Sequence, residues 1–283
     1  MSTYFCPGHI TCFFQPVRTG DIRSTGSRGA GLRLDLGSHV TVTERDDSLL
    51  NITIDGVPSD APVTRCMFSG EAPGRGFDVI VENDLPVGQG FGMSASGSIA
   101  AAMCLCEIQG RPEDDAFLMA HRAEVEQGGG LGDVAAIQCL GHQPVRVSPG
   151  MSPYGNVVST PLSFSRLTLM VIGGKLGTAS VINDPVMQKR LSEAGSRAVE
   201  EFLTEPTAEK LFSLSRRFSS ETGLETEAMK AALDSLNEIG NAGMCMLGHS
   251  IFTDVPAEKV KEMFEDAQVF ECSTYDGGFT RTE

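Results

Sequence analysis

Residues 86–97 read Pro-Val-Gly-Gln-Gly-Phe-Gly-Met-Ser-Ala-Ser-Gly, a glycine–serine segment whose spacing suits the binding of phosphate. It follows a strand-like run and opens into a segment rich in helix formers. Glycines at alternate positions let the backbone curl with its N–H groups inward, and the helix start adds unpaired donors and a positive dipole end. The segment therefore predicts a nucleotide site. Its candidate binding residues are Pro86, Gly88, Gln89, Gly90, Gly92, Met93, Ser94, Ala95 and Ser96.

Two other phosphate loops do not fit this segment. A Walker A loop needs a lysine at the helix start, and the chain has no lysine before Lys175. A Rossmann fingerprint needs Gly-x-Gly-x-x-Gly, whereas the spacing here is Gly-x-Gly-x-Gly. The alternative without a ligand is a tight strand-to-helix turn. The serine pair and the alanine-rich helix that follows favour the binding site.

The elements that must position this segment divide the chain into a strand-rich and a helix-rich part. Strands are predicted at 4–6, 10–14, 32–36, 39–44, 49–54 and 78–82, followed by helices at 94–109, 113–127 and 134–139. A strand at 166–172, helices at 185–203, 206–222, 225–239 and 256–265, and a strand at 269–273 complete the pattern. Residues 141–160, rich in Gly, Pro and Ser, predict a boundary between domains 1–155 and 156–283. The predicted fold class is two-domain α+β.

Composition narrows the class of protein. The 283-residue chain carries a net charge of −15 and no basic cluster, which argues against nucleic acid or an anionic membrane as a partner. No apolar run reaches the length of a membrane span, and the N-terminus lacks a signal-peptide pattern. The eight cysteines include no Cys-x-x-Cys pair and are expected to be reduced thiols. These features predict a cytoplasmic protein.

Three separated segments resemble the motifs of the GHMP kinase superfamily, whose members phosphorylate small metabolites with ATP. They are Cys6-Pro-Gly-His-Ile-Thr-Cys-Phe-Phe14, the glycine–serine segment, and Glu124 followed by Gly130-Leu-Gly-Asp133. The resemblance covers the whole chain. It implies an N-terminal part like domain 2 of ribosomal protein S5 and a ferredoxin-like C-terminal part. The third, glycine-rich motif of the superfamily has its counterpart at 240–248.

The resemblance implies ATP and Mg²⁺ as ligands and gives roles to individual residues. The glycine–serine segment would wrap the triphosphate, and Ser94 and Glu124 would hold Mg²⁺. Asp133 would accept or orient the proton of the substrate hydroxyl, with His9 as a second catalytic residue. Phosphoryl transfer needs charge neutralisation and an aligned oxygen more than covalent help. The alternatives are a solvated helical acid for Glu124, a helix N-cap for Asp133 and a structural His9.

Within the superfamily, segments 7–11, 26–31 and 130–134 look most like those of the archaeal pantoate kinases, which phosphorylate the 4-hydroxyl of (R)-pantoate on the way to coenzyme A. The resemblance implies pantoate and ATP as partners, and it suggests a homodimer. Because pantoate carries a carboxylate, its site needs a cation. The first candidate is Arg28, together with Ser27 and Gly29, and the alternatives are Arg146 and Lys175.

Two other functions stay open at this point. One is a kinase of the same superfamily for another hydroxylated metabolite, similar to homoserine or mevalonate. The other is a metabolite sensor with this fold and no catalysis. Glu124, Asp133 and the serine pair argue against the sensor, since a sensor need not keep them.

Overall fold

The structure is a computed structural model that describes residues 2–174 and 184–281. Within these ranges the chain forms twelve strands and eight helices. The strands are β1 Ser2–Val17, β2 Gly26–Arg45, β3 Leu50–Ile54, β4 Val57–Pro58, β5 Gly76–Asn83, β6 Gln143–Ser148, β7 Asn156–Thr160, β8 Leu167–Val171, β9 Ala242–Cys245, β10 Ser250–Thr253, β11 Gln268–Cys272 and β12 Thr280–Arg281. The helices are α1 Pro62–Glu71, α2 Met93–Gln109, α3 Asp114–Glu126, α4 Asp133–Gln138, α5 Pro185–Thr204, α6 Ala208–Thr222, α7 Glu227–Asn237 and α8 Ala257–Met263.

The first sheet is built around the two long strands β1 and β2. Its order is β12-β1-β2-β5-β3-β4, and the hairpin β6–β7 pairs with the opposite end of β2. Only the β3–β5 pair is parallel among the described strands of this sheet. Helix α2 packs on β1 and β2 at one end, and helix α5 packs on β1 at the other. Because helices cover it along its length, most of β1 is buried.

The second sheet is antiparallel, with the order β11-β8-β10-β9, and helices α6 and α7 pack on β9. Its apolar side chains share one continuous core with the second half of β1, where Phe13 and Phe14 lie. The first half of β1 belongs to a separate core under α1, α2 and α3. Strand β1 therefore connects the two cores.

The structure confirms the α+β class and differs from the predicted elements in instructive places. The strands predicted at 4–6 and 10–14 are parts of one strand, β1. The sequence pattern divides them because irregularities at Pro7/Gly8 and Thr11/Phe13 interrupt the alternation of side chains. Helix α1 was not predicted, since its sequence carries no acid in the first turn and no capping side chain. The short strands β6, β7, β9 and β10 were also missed.

The first sheet extends past the predicted boundary at residue 155. Strand β7 pairs with β6, and β12 pairs with β1 near the C-terminus. The division into domains 1–155 and 156–283 stays a prediction. None of the helices in the described parts of the chain has the length and apolar character that a bilayer span requires.

The contact between α5 and β1 depends on a glycine. A Cβ atom added to Gly195 would lie 2.0 Å from the carbonyl oxygen of Phe14, whereas one added to Gly70 in α1 would meet nothing within 4 Å. We expect Gly195→Ala to lower the free energy of unfolding by about 1–3 kcal/mol because the helix must move away from the strand. Urea denaturation monitored by circular dichroism measures this change.

Gly70→Ala is the matched control, since it also replaces a helical glycine. We expect it to leave stability unchanged or to raise it by up to about 1 kcal/mol, because alanine has the higher helix propensity. Equal stabilities of the two variants would contradict the close approach of α5 to β1.

Candidate active site

A cleft lies where β1, the glycine–serine segment, the α3–α4 connection, β6 and the β9–β10 turn meet. Its lining includes six polar side chains, those of Thr11, Ser27, Ser94, Glu124, Asp133 and Arg146. Leu131, Met246 and Leu247 are among its apolar walls. The cleft therefore brings together residues from the first 30 positions, the middle and the C-terminal third of the chain.

The glycine–serine segment is held between two other backbones. At Gly90, where φ is +80°, an added Cβ would lie 2.8 Å from the carbonyl oxygen of Cys245. At Gly92, where φ is +70°, it would lie 2.8 Å from the carbonyl oxygen of His9. Both positions therefore require glycine for conformation and for space. Gly92 is also the N-cap of α2, which has no side-chain cap and no acid in its first turn, so its first N–H groups are available to an anion.

Six of the nine predicted nucleotide-binding residues line the cleft, and three do not. The six are Gly88, Gly90, Gly92, Met93, Ser94 and Ala95. The Ser96 hydroxyl instead donates to the carbonyl oxygen of Cys6 at 2.6 Å. The Gln89 side chain donates to the carbonyl oxygen of Gly173 at 3.0 Å and accepts from the backbone N–H of His249 at 3.2 Å. Pro86 lies outside the cleft, beside Gln268.

Ser94 and Glu124, which the resemblance implies as ligands of one metal ion, lie in contact. The Ser94 hydroxyl donates to Glu124 Oε1 at 2.6 Å, and the backbone N–H of Gly130 donates to Oε2 at 2.9 Å. Glu124 is not a solvated helical acid, since only 1% of it is exposed. Burial raises the pKa of Glu124 to about 7, and the charge of Asp133 adds to the rise, while the bonds from Ser94 and Gly130 oppose it. Near neutral pH this carboxyl is partly protonated, and a positive charge beside it would lower its pKa and release the proton to solvent.

Asp133 is held by two side chains of β1. His9 Nδ1 lies 2.8 Å from Asp133 Oδ1, and the Thr11 hydroxyl donates to the same oxygen at 3.5 Å. Burial lowers the pKa of His9, so we assign a neutral ring that donates from Nδ1. Burial alone would raise the pKa of Asp133, but the hydrogen bonds from His9 and Thr11 and the charge of Arg146 outweigh it and bring the pKa below its usual range. Asp133 is therefore ionised.

The other oxygen of Asp133 is open toward the cleft. A Cβ added to Gly130 would lie 2.5 Å from Oδ2, and the described residues provide no hydrogen bond to this atom. The Asp133 side chain is 26% exposed, whereas that of His9 is fully buried. Gly132 is the N-cap of helix α4 and Asp133 is its first residue, so the alternative that Asp133 is the N-cap does not hold.

Arg146 on β6 is the lysine or arginine that lines the cleft among the described residues. It is 1% exposed, and its Nε and Nη1 atoms have no partner among the described residues, while Nη2 donates to the Thr11 hydroxyl at 3.4 Å. Space for the guanidinium comes from two glycines. A Cβ on Gly29 would lie 2.6 Å from Nη2, and one on Gly132 would lie 2.6 Å from Nε. Burial lowers the pKa of Arg146, but an arginine stays charged.

Arg28, the first candidate for the substrate cation, lies elsewhere. Its Nε donates to the carbonyl oxygen of Val147 at 2.9 Å, and its Nη1 donates to Gln15 Oε1 at 3.1 Å and to the Ser196 hydroxyl at 3.4 Å. Arg28 does not line the cleft, whereas Ser27 does. Gly29 contacts the guanidinium of Arg146 and is likewise outside the lining. Lys175 lies outside the described residues.

Sequence reasoning missed Thr11 and the apolar walls Met246 and Leu247. A signal for Thr11 was present, because residues two apart on a strand share a face and Thr11 follows His9 by two. Met246 and Leu247 belong to the third motif at 240–248, which packs directly on the glycine–serine segment. Their sequence alone is indistinguishable from that of a core strand.

The fold and the cleft define a class of protein, and comparison with known proteins agrees. The family described as "GHMP kinases N terminal domain" matches residues 63–141. This stretch includes the glycine–serine segment, Glu124 and Asp133. The match identifies the class as that of the GHMP kinases.

Relatives along nearly the whole chain specify the family further. Pantoate kinase of Thermococcus kodakarensis is 34% identical, with 93% of this chain and 91% of that protein aligned. Pantoate kinase of Methanocaldococcus jannaschii is 32% identical, over 93% and 94% of the two chains. A solved structure described as a phosphotransferase related to the CoA biosynthesis pathway superposes with a TM-score of 0.87, is 30% identical and covers 99% of this chain and 97% of its own. The chain belongs to the pantoate kinase family of the GHMP kinases.

The buried carboxyl of Glu124 makes stability depend on pH. Its pKa is 4.5 in the reference state and about 7 when folded, so the folded protein binds more protons between these values. The stabilisation is therefore complete below pH 4.5 and is lost as the pH rises through 7. At 1.36 kcal/mol for each pKa unit, we expect the wild type to lose about 3 kcal/mol relative to Glu124→Gln across this window.

Urea denaturation of both proteins at several pH values, without nucleotide or divalent cations, measures the difference. The glutamine variant is the matched control, because it keeps the shape and an acceptor for Ser94 but cannot titrate. Stability curves that run parallel across the window would show that Glu124 is not buried as described.

Proposed function

We propose that this protein is an ATP-dependent kinase that transfers the γ-phosphate of ATP to the 4-hydroxyl of (R)-pantoate, a step in coenzyme A biosynthesis. The proposal is supported by family membership and by the names of the relatives aligned along nearly the whole chain. One observation about this chain carries it. A buried arginine, two of whose nitrogen atoms have no partner among the described residues, shares one cleft with an ionised aspartate and a glycine-rich helix start.

The acceptor site is proposed at Arg146. A buried guanidinium with free donors is costly unless an anion completes it, and a carboxylate is the anion that pantoate offers. Ser27, which is buried and faces the same cleft, adds a hydroxyl donor. Asp133 lines the same cleft as Arg146, so an acid whose carboxylate meets Arg146 can place a hydroxyl against Asp133. The cleft therefore suits a small hydroxy acid.

The nucleotide site is proposed at residues 88–95 and the start of α2. Backbone N–H groups there neutralise phosphate without any lysine, which fits the absence of lysine before position 175. This local positive potential is needed because the chain as a whole carries a net charge of −15. We place the β- and γ-phosphates beside Ser94 and Glu124.

Mg²⁺ fits the pair formed by Ser94 and Glu124. A hydroxyl and a carboxylate are hard oxygen donors, and Mg²⁺ on a nucleotide takes one or two protein ligands, with phosphate and water completing its shell. The raised pKa of the buried Glu124 shows a carboxyl with no positive charge beside it. When bound there, Mg²⁺ would neutralise charge on the phosphates. The described residues contain no cluster of three acidic or soft ligands, which fits a metal that arrives with its nucleotide.

The transfer step then depends on Asp133. Its Oδ2 accepts the proton of the substrate hydroxyl as the hydroxyl oxygen attacks the γ-phosphorus and the bond to the β-phosphate oxygen breaks, releasing ADP. His9 and Thr11 hold Oδ1, so the carboxylate cannot turn. His9 is thus a positioning residue in this proposal, since its Nε2 is buried against Gly31 and away from the cleft.

The acceptor assay tests the function directly. With MgATP, we expect ADP release with (R)-pantoate and none with pantothenate, homoserine or mevalonate supplied separately. Asp133→Asn is the control for ADP release unconnected with transfer, and we expect its turnover to be slower by about 10²-fold or more. Turnover with another acceptor would replace the substrate, and ATP binding with no turnover on any acceptor would favour a sensor.

Arg146 and Arg28 offer a matched pair of variants for the substrate carboxylate. We expect Arg146→Met to raise the KM for pantoate by about 10²-fold, because a charged hydrogen bond is lost, and to leave the KM for ATP nearly unchanged. Arg28→Met is the comparison, since it removes an arginine outside the cleft. Steady-state kinetics with each substrate varied provide the measurement. A raised KM for pantoate in Arg28→Met alone would reinstate Arg28 as the substrate cation.

The homodimer suggested by the resemblance stays a prediction. Light scattering on the purified protein decides it.

A further inference from the structure

The side chain of Thr11 lies between the two charged groups that the proposed reaction uses. Arg146 Nη2 donates to Thr11 Oγ1 at 3.4 Å, and Thr11 Oγ1 donates to Asp133 Oδ1 at 3.5 Å. We propose that Thr11 is a positioning residue that couples the binding of the substrate carboxylate at Arg146 to the alignment of Asp133. This inference rests on the proposed function, because it assumes that an acid binds at Arg146.

The backbone of Thr11 is hydrogen-bonded to another part of the chain, and Thr11 lines the cleft. The carbonyl oxygen of Thr11 accepts the N–H of Met246 at 3.0 Å, which ties this part of β1 to the β9–β10 turn. His9 and Thr11 lie two apart on the strand and both reach Asp133 Oδ1. Backbone hydrogen bonds fix the strand at this point. The hydroxyl is the only polar group of the Thr11 side chain, and its described hydrogen bonds are to Arg146 and Asp133.

The chemistry of a hydroxyl suits this place. It has one proton to donate and lone pairs to accept, so it can accept from a cation and donate to an anion at the same time. The two contacts run in that direction, from the guanidinium to the carboxylate. The other charged or titratable groups facing Asp133 are His9 from β1 and Glu124 from α3. Among the described residues neither of them has a hydrogen bond to Arg146, whereas Thr11 is hydrogen-bonded to both Arg146 and Asp133.

Both contacts are longer than well-formed hydrogen bonds, whose donor–acceptor distances lie near 2.7–3.2 Å. Catalytic hydrogen bonds are often long in the free enzyme and shorten when the substrate binds. A carboxylate at the open face of Arg146 would fix the guanidinium and shorten the chain through Thr11 to Asp133. A correctly bound acid therefore aligns the group that must accept its proton, which favours hydroxy acids over neutral alcohols at the transfer step.

The test replaces the hydroxyl and keeps the shape. Thr11→Val retains the branched side chain that a strand prefers, and Thr11→Ser retains the hydroxyl. With pantoate, we expect Thr11→Val to lower kcat by about tenfold while the KM for ATP stays within about twofold of the wild type, since the interaction acts at the transfer step. Thr11→Ser should recover kcat to within about threefold of the wild type. Thr3→Val on the same strand, outside the cleft, is the control and should leave both constants unchanged.

The outcomes separate this inference from the proposed function. If the wild type does not phosphorylate pantoate, the proposed function fails. If the wild type does and Thr11→Val matches its kcat, only the role of Thr11 fails. An equal loss of kcat in Thr11→Val and Thr11→Ser would also overturn the role of Thr11, because it would show that kcat does not depend on the presence of the hydroxyl. Should Thr11→Val fold poorly by thermal denaturation, Thr11→Ala removes the hydroxyl without adding a methyl group, and the same comparison with Thr11→Ser applies.

Discussion

The site depends on keeping a negative charge on Asp133 inside a cleft that also contains a second carboxyl. Two acids that share a low-dielectric space raise each other's pKa, and burial raises both further. The surroundings of the two carboxyls differ in the donors and charges that they provide. Asp133 receives donors from His9 and Thr11 and the charge of Arg146, whereas the described residues give Glu124 only the donors of Ser94 and one backbone N–H. The pKa of Asp133 is therefore lowered and that of Glu124 is raised to about 7, which is the asymmetry that the proposed roles of proton acceptor and metal ligand require.

The fold delivers these groups from far apart in sequence. Strand β1 carries His9 and Thr11, β6 carries Arg146, and helices α3 and α4 carry the two acids. The pairing of β2 with β6 places Gly29 opposite Arg146, and this register puts a guanidinium where only glycines leave space for it. The long strand β1 joins the two cores of the molecule, so the site stands on the most buried part of the first sheet.

Local pattern was sufficient for part of this description. The glycine–serine segment, helix α2 and the pairing of Ser94 with Glu124 could be predicted because they depend on spacing along the chain and on a resemblance. The glycine–serine pattern alone does not show that the Ser96 side chain points into the protein. Helix geometry does indicate it, because residues two apart on a helix point about 200° apart, so Ser94 and Ser96 cannot both face the cleft. Arg146 lines the cleft and Arg28 does not, and this difference depends on strand pairing across more than a hundred residues, which no local pattern encodes. The continuity of β1 and β2 through their irregularities is likewise visible only in the paired sheet.

The close contact between the glycine–serine segment and the β9–β10 turn has a consequence for how this sequence can evolve. A Cβ on Gly90 would collide with the carbonyl oxygens of Cys245 and Met246, and one on Gly248 would lie 2.0 Å from the carbonyl oxygen of Gln89. The backbone of Gln89 also accepts a hydrogen bond from the Ser250 hydroxyl. Two segments about 160 residues apart therefore constrain each other through close backbone packing and a hydrogen bond. Because the contacted atoms belong to the backbone, no side-chain change elsewhere relieves either clash, and positions 90 and 248 are expected to remain glycine among homologous sequences.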